Sequence, residues 1–595
     1  MDTAAAGESK MDRAWLPLCL GVIFLLSLIP LVHLLYAGAG IQGIAAPAYL
    51  DEYYSPLIRE VVDGNPFVGN PWFFEHRDDI SPRPILPYWI SALPLLAGLP
   101  LALAVAMNFS LWSLTFGLIL YFFFRRFGLP PAWSGLGAIY IYIQTYTFLL
   151  RPVSMQLVYP AFLLLILVFS QWWKQPEDRY RSAFLGLTAA LTFYMYGFLY
   201  QISVVFLGLV FIFLLYQRDW KRVVHALIVG AWTGVLIIPF IITTLAEVND
   251  PHYLEAMMRT GLVFTHSLNV LGARQAVAAI TFISSVYLAS RWIFRTHEYG
   301  KTSSMVQFLL LGPAIVIVSL SNVITGMDAE TSNHMARFFN LWLILSSIVI
   351  AYALFTARRQ ISQLTVPKKI MLSIFVIFVL YLNNAFPLTP LTASFLMGNE
   401  RAAIQEDNAM LPALQWLDAQ SLQPHVVWID PHNSRLNSIL PIYTKHYELL
   451  GNDGVMQLVS SDEVEERYLV ASATTDVTEK SIAADIWLWG FGGYAIDTPN
   501  TKNREVHQCT LLHLYLLGIS CGQSTDASKL YAPLVASMYA RYTRDIQPHL
   551  GEELKKFHVT YIIKDTQTDT QFHPERLKNV QQVYSDGRYL IYKVI

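Results

Sequence analysis

YLDEYYSPLIREVVDGN, residues 49–65, lies just beyond an apolar run at 15–36 and opens with an acidic pair, Asp51 and Glu52. A carboxylate pair where a chain leaves a hydrocarbon layer is costly to bury, so it marks a candidate reaction site at a membrane surface. The residues that follow are spaced as a helix. Tyr54, Leu57, Ile58, Val61 and Val62 fall on one face and Arg59, Glu60 and Asp63 on the other, which suits a helix lying in the interface plane. The loop that holds this stretch, 37–100, is long for a connection between membrane runs, and long loops in compact proteins usually carry function. A second interfacial segment is expected at 85–96, where Tyr88 and Trp89 suit headgroup depth.

The rest of the chain explains why a membrane boundary belongs there. At 595 residues, 54% hydrophobic and only 14% charged, it is too apolar for an ordinary soluble protein. Its mean hydropathy of +0.40 agrees. Apolar runs at 15–36, 101–124, 133–150, 153–173, 184–216, 223–245, 276–294, 306–324, 338–355 and 370–385 are mostly long enough to cross about 30 Å of hydrocarbon. The run at 184–216 suits two short crossings with a turn at 196–201, so about eleven crossings are expected.

Basic residues alternate between connections. With the N-terminus cytoplasmic, the inner loops collect Lys10 and Arg13, Arg125 and Arg126, Lys174 with Arg179 and Arg181, Arg218 with Lys221 and Arg222, Arg291, Arg295 and Lys301, and Arg358, Arg359, Lys368 and Lys369. The outer loops carry mostly isolated arginines. The first apolar run reads as a retained helix, not a removed signal. From about Pro387 the long runs stop and a soluble, extracytoplasmic α/β domain is expected, giving domains at 1–386 and 387–595. Strands are expected at 425–432, 559–565 and 589–595, and helices at 407–420 and before Phe557. Of the three cysteines, Cys19 is in the first helix, while Cys509 and Cys521 either pair in an oxidising compartment or remain two buried thiols. No basic, aromatic-interleaved patch suggests nucleic acid.

The order of elements resembles a known family. Asp51-Glu52, Tyr54, Arg59-Glu60-Val61, Gly64-Asn65, Glu75 and the run SPRPILPYWISAL at 81–93 are similar to the first outer loop of GT-C membrane glycosyltransferases, particularly lipid A aminoarabinose transferases and protein O-mannosyltransferases. The likeness is specific over about fifty residues and rests on topology elsewhere. It implies a polytopic GT-C-like helical membrane domain, and inverting sugar transfer from a polyprenyl-phosphate donor to a glycan, lipid or protein acceptor on the non-cytoplasmic face of the cell membrane. Asp51 is then the general base, with Glu52 as its helper. Arg83, where the family usually has lysine, Arg151 and Arg337 are the expected phosphate ligands, because a guanidinium holds phosphate bidentately.

His334, one helical turn from Arg337, and Tyr54 complete the expected binding set. Family members carry an acidic residue shortly after the arginine at 151, and this chain has Gln156 instead. Asp78, Asp79 and Glu75 are the candidates for a second carboxylate. No cofactor is expected: adjacent carboxylates such as Asp78 and Asp79 are far short of a full cation-ligand set. The stretch DIWLWGFGGY at 485–494 reads as a buried strand and glycine turn. An oligosaccharyltransferase-type enzyme using a lipid pyrophosphate, and a GT-C-like scaffold or glycan-binding protein without turnover, are the alternatives. A transporter fits poorly, since intramembrane charges are few and no inverted repeat is evident.

Overall fold

The structure, a computed structural model, describes residues 10–80, 84–260, 266, 268, 270–293, 303–328, 331–388, 390–392, 396, 400–451, 453–486, 493–511, 513–524 and 526–595. Among the described residues, seven helices are long and apolar enough to cross a membrane: Asp12–Tyr36, Leu101–Arg126, Ser154–Lys174, Gly197–Tyr216, Phe308–Thr325, Thr331–Thr356 and Val366–Ala385. The pair Trp220–Leu236 and Ile238–Val248 makes an eighth, bent by 58°. Pro239 stands in the first turn after the bend, where the missing N–H is tolerated but a straight continuation is not. The chain is thus that of a multi-pass membrane protein, with seven or eight helices of this length and apolarity among the described residues, against about eleven crossings expected. Pro131–Leu150, Arg179–Met195 and Val270–Ile293 pack in the same bundle. They fall outside the set because tyrosines, threonines and Gln144 make the first too polar and the second is only 17 residues long.

The run at 184–216 does divide in two. Helices Arg179–Met195 and Gly197–Tyr216 are separated by Tyr196 alone, in an extended conformation (φ −167°, ψ 130°).

Beyond the bundle lies a five-stranded sheet, in the order β2 (Tyr447–Glu448), β1 (Val426–Trp428), β3 (Val559–Asp565), β5 (Tyr589–Val594), β4 (Val580–Ser585). β1 pairs in parallel with β2 and β3, and β5 runs antiparallel to β3, with Ile563 opposite Ile591. The central strand β3 is buried on both faces over most of its length, as its near-continuous apolar run requires. The β4–β5 hairpin turns through Asp586-Gly587, with Gly587 at φ 95°. The expected strands are present, together with β2 and β4, and the expected helix at 407–420 is a shorter one, Leu411–Ala419, after a separate helix Glu400–Asn408. Of the stretch 485–494, Asp485 ends the helix Glu479–Asp485 and Gly493 begins the helix Gly493–Leu511, while 487–492 lie outside the described residues.

The first outer loop is not an appendage. Its helices Tyr54–Val62 and Leu86–Leu96 pack on each other. Tyr54, Leu57, Ile58, Val68, Trp72, Phe73 and Tyr88 share one apolar core with Trp428, Tyr447, Tyr468 and Ile562 of the sheet region. The helix Tyr54–Val62 therefore buries its apolar face against protein instead of lying on lipid, and Glu60, expected on the solvent side, is buried too. Leu86–Leu96 keeps Trp89, Leu93 and Leu96 exposed, as an interfacial helix does. At Gly454 the fit is so close that a Cβ would stand 2.9 Å from both the Trp72 and Phe73 side chains.

Candidate active site

Asp51 closes a turn that leads into the helix Tyr54–Val62. Its Oδ1 accepts the backbone N–H groups of Tyr53 (3.0 Å) and Tyr54 (2.9 Å), the Asx-turn geometry that a short carboxylate offers at a chain reversal. Its Oδ2 faces the bundle, where Arg151 Nε donates to it at 2.5 Å. Arg151 sits in the short connection between Pro131–Leu150 and Ser154–Lys174. Two residues on, Val153 has φ 66° and ψ −54°. A β-branched residue there stores strain of about 1–3 kcal/mol, the kind held at functional positions. Burial works against the Arg151 charge, and the Asp51 carboxylate more than offsets it, leaving the guanidinium above its ordinary value. The Asp51 side chain is 6% exposed and that of Arg151 42%, so the cation is the member of the pair that an incoming anion meets first.

A second layer surrounds the pair. The Arg151 guanidinium lies 5.8 Å from the Tyr54 ring. Tyr54 in turn hydrogen-bonds Tyr196, the residue of extended backbone between the helices Arg179–Met195 and Gly197–Tyr216. The Tyr196 hydroxyl is also 2.5 Å from His334 Nδ1, and the His334 ring stacks on Phe198 at 4.2 Å. Burial, then the Tyr54 phenol, pushes the Tyr196 hydroxyl well above the usual tyrosine range. The Arg337 and Arg151 cations pull the other way. Arg337 itself rests over the Phe148 ring at 5.8 Å, and its backbone carbonyl accepts from Tyr159. Tyr54, Arg151, His334 and Arg337 thus all act on Tyr196, and Asp51 joins the cluster through Arg151.

The remaining expected residues point elsewhere. Glu52 pairs with Arg435 at 3.2 Å, and the same guanidinium holds Asp407. Glu75 pairs at 2.5 Å with Arg467, a fully buried cation that also binds Glu463. Asp79 binds His76 at 2.6 Å, and Asp78 is an exposed partner of Arg77. These carboxylates fasten the loop to itself and to the helix Ser461–Ala471. Arg83 lies outside the described residues. Gln156 donates to the Leu149 carbonyl, and its Oε1 is buried without a hydrogen-bond partner among the described residues. Among the described residues no group of three or more histidine, cysteine or acidic side chains is placed to hold a metal ion.

Tyr196 is the residue at the centre of the cluster that sequence reasoning did not single out. Its one signal was position, in the turn at 196–201. Arg259, on the helix Tyr253–Thr260, is a fastening: it donates to the carbonyls of Val455, Gln457 and Val459 and to Ser461 Oγ. Asp328 takes Arg504, and Glu330 lies outside the described residues.

No family model matches the chain, and no curated protein matches it in sequence. Among solved structures it is similar to the apo form of the Archaeoglobus fulgidus oligosaccharyltransferase, with TM-score 0.39 and 11% identity, over 94% of this chain and 70% of that one. It is also similar to the oligosaccharyltransferase AglB of Archaeoglobus fulgidus in complex with an inhibitory peptide and a dolichol-phosphate, with TM-score 0.42 and 10% identity over the same shares.

Proposed function

We propose that the chain is a GT-C-type membrane glycosyltransferase that moves a sugar from a polyprenyl-phosphate-linked donor to a hydroxyl acceptor on the non-cytoplasmic face, with inversion. The observation that carries this reading is the Arg151–Asp51 contact: a buried carboxylate whose outward oxygen is covered by a half-exposed guanidinium. A donor phosphate competes for that guanidinium, because a bidentate anion suits the fork better than one carboxylate oxygen does. Asp51 Oδ2 is then released while Oδ1 stays fixed by the Tyr53 and Tyr54 N–H groups.

The released oxygen accepts the acceptor hydroxyl proton as the acceptor oxygen bonds to the anomeric carbon from the face opposite the phosphate. The bond from that carbon to the phosphate oxygen breaks, its electron pair leaves with the phosphate, and Arg151 and Arg337 meet the growing charge.

Asp51→Asn tests the assignment, since it keeps the Oδ1 acceptor and removes the base. Transfer from polyprenyl-phosphate sugars by purified protein in detergent is expected to fall by about 10²–10⁴. Transfer unchanged by the substitution would sink the assignment. One observation favours a second reading, a glycan-binding scaffold without turnover: both Asp51 oxygens are already engaged, and Gln156 replaces the family's second acidic group. Wild-type protein inactive with every phosphate- and pyrophosphate-linked donor, with and without divalent cation, would support it.

A further inference from the structure

The helix Gly493–Leu511 and the loop after it have no part in the proposed transfer, yet they carry a cluster of exposed apolar side chains. Cys509 and Cys521 form a disulfide, closing a ring in which Leu511, Tyr515, Leu516 and Ile519 are 58%, 51%, 74% and 49% exposed. A disulfide is normally an economy for a segment with no core of its own. Holding four large apolar side chains out in water, and cross-linking the loop so that it cannot fold them away, is costly unless something apolar covers them.

The loop's position identifies the cover. Its helix is tied to one end of the bundle: Arg504 Nη1 pairs with Asp328 at 2.7 Å, just ahead of the helix Thr331–Thr356, and Gln508 Nε2 donates to the Leu268 carbonyl, just ahead of the helix Val270–Ile293. Leu511 then lines a cavity of about 430 Å³ with residues of Val270–Ile293 and Val366–Ala385. On the second of these helices the lining runs from Phe386 back to Phe378. At 1.5 Å per residue that is about 12 Å of a membrane-spanning helix. The faces flanking the cavity, Val277 and Ile280 on one helix and Leu380 and Tyr381 on the other, are exposed apolar surface of the bundle, which in a membrane protein means lipid-facing.

The loop is therefore continuous with the lipid-facing surface at the bilayer boundary. Arg274, 5.5 Å over the Phe386 ring at the same cavity, makes no ion pair among the described residues and stands where a lipid headgroup phosphate would be. Tyr515 is the amphipathic aromatic expected at headgroup depth.

We propose that the disulfide-closed loop 509–521 is a membrane-insertion loop, which seats Leu511, Tyr515, Leu516 and Ile519 in the phospholipid leaflet on the side of the C-terminal domain. The cavity beneath it takes a phospholipid acyl chain, with the headgroup phosphate on Arg274. The loop thereby fixes the C-terminal domain against the bilayer, and this holds whichever reaction the chain performs.

The test uses the full chain in phosphatidylcholine–phosphatidylglycerol vesicles. An environment-sensitive fluorophore is placed through Leu516→Cys, labelled without reductant, and in a second protein through Gln582→Cys, an exposed position on β4. Spin-labelled lipid is expected to quench at least about half of the signal at position 516 and little at 582, with aqueous iodide giving the reverse order. Lipid quenching at 516 is expected to fall when Cys509 and Cys521 are both replaced by serine. Iodide access at 516 equal to that at 582 would overturn the proposal. So would protection at 516 from both quenchers, the result if a second copy or another protein covers the loop.

Discussion

Removing the Arg151 guanidinium separates what the Asp51 contact does for folding from what it does for transfer. For unit charges at the observed 2.5 Å separation, Coulomb's law at an effective dielectric of about 20 gives roughly 7 kcal/mol as an upper bound. That bound overstates the measurable value, because the arginine side chain is 42% exposed and solvent screens it. Asp51 also keeps its two backbone N–H partners, so Arg151→Ala is expected to cost about 1–2 kcal/mol of stability. Transfer loses more. A cation that meets leaving-group charge is worth on the order of 10²–10³ in rate, and its loss also raises the donor KM because the phosphate loses its first contact. Arg151→Lys keeps the charge without the fork and is expected to fall between, with a loss of about tenfold. Donor titrations with each variant, beside thermal aggregation of the same preparations, give both quantities. The reasoning fails if Arg151→Ala leaves the transfer rate and donor KM unchanged, or if its whole loss follows the fraction of protein unfolded.

The contacts that the helix Tyr253–Thr260 and the first loop make with the C-terminal region support two further expectations. Arg259→Ala strands three carbonyls and one hydroxyl that a single buried guanidinium now satisfies. At about 1–3 kcal/mol for each buried acceptor left dry, partly relieved by water, the 453–461 segment is expected to become protease-sensitive in the native protein; an unchanged digestion pattern would count against the fastening. The junction of the first loop with the C-terminal region is expected to loosen as pH rises. Burial, with Asn65 and Tyr447 acting against it, raises Glu60 from 4.5 to about 7, so the native state keeps a proton that the unfolded chain has released, and stability falls across that window. Burial opposes the His76 charge, but Asp79 and Glu463 lift it from 6.5 to about 9, so its contribution is complete below 6.5 and is lost as pH passes through about 9. Thermal stability from about pH 5 to about pH 10 is expected to decline, and Glu60→Gln with His76→Gln to flatten the decline; an unaltered slope would refute it.

The parts of this architecture legible in the sequence are those set by local periodicity. Apolar runs become helices because each satisfies its own backbone, and the helix Tyr54–Val62 follows from its i, i+3, i+4 spacing. What covers a helix face is not local. The arrangement of Tyr54, Leu57 and Ile58 reads equally well against lipid or against protein, and the decision rests with Trp428, Tyr447 and Tyr468, several hundred residues away. Glu60 is the informative failure. A glutamate on the polar side of an amphipathic helix is expected in water, yet Asn65 Nδ2 reaches it at 2.6 Å and Tyr447 also bonds it, so its burial depends on a β-strand the sequence did not reveal. β2 is two residues long, too short for any alternation to show.

The same limit divides the opening acidic pair. In sequence Asp51 and Glu52 are one feature, and their adjacency suggests a shared task. In the fold their carboxylates serve different bodies: Asp51 turns to Arg151 in the bundle, and Glu52 to Arg435 on the helix Ser434–Tyr443, beside Asp407. Each choice has its own physical cause. Asp51 is fixed by two N–H groups of the turn and has one oxygen left to aim. Glu52 is half exposed and takes the cation within reach. A pair that works jointly would share a ligand or a proton, and separate arginines make that unnecessary. The proposed chemistry therefore falls to Asp51 with Arg151, and the neighbouring carboxylate holds the first loop against the helix Ser434–Tyr443.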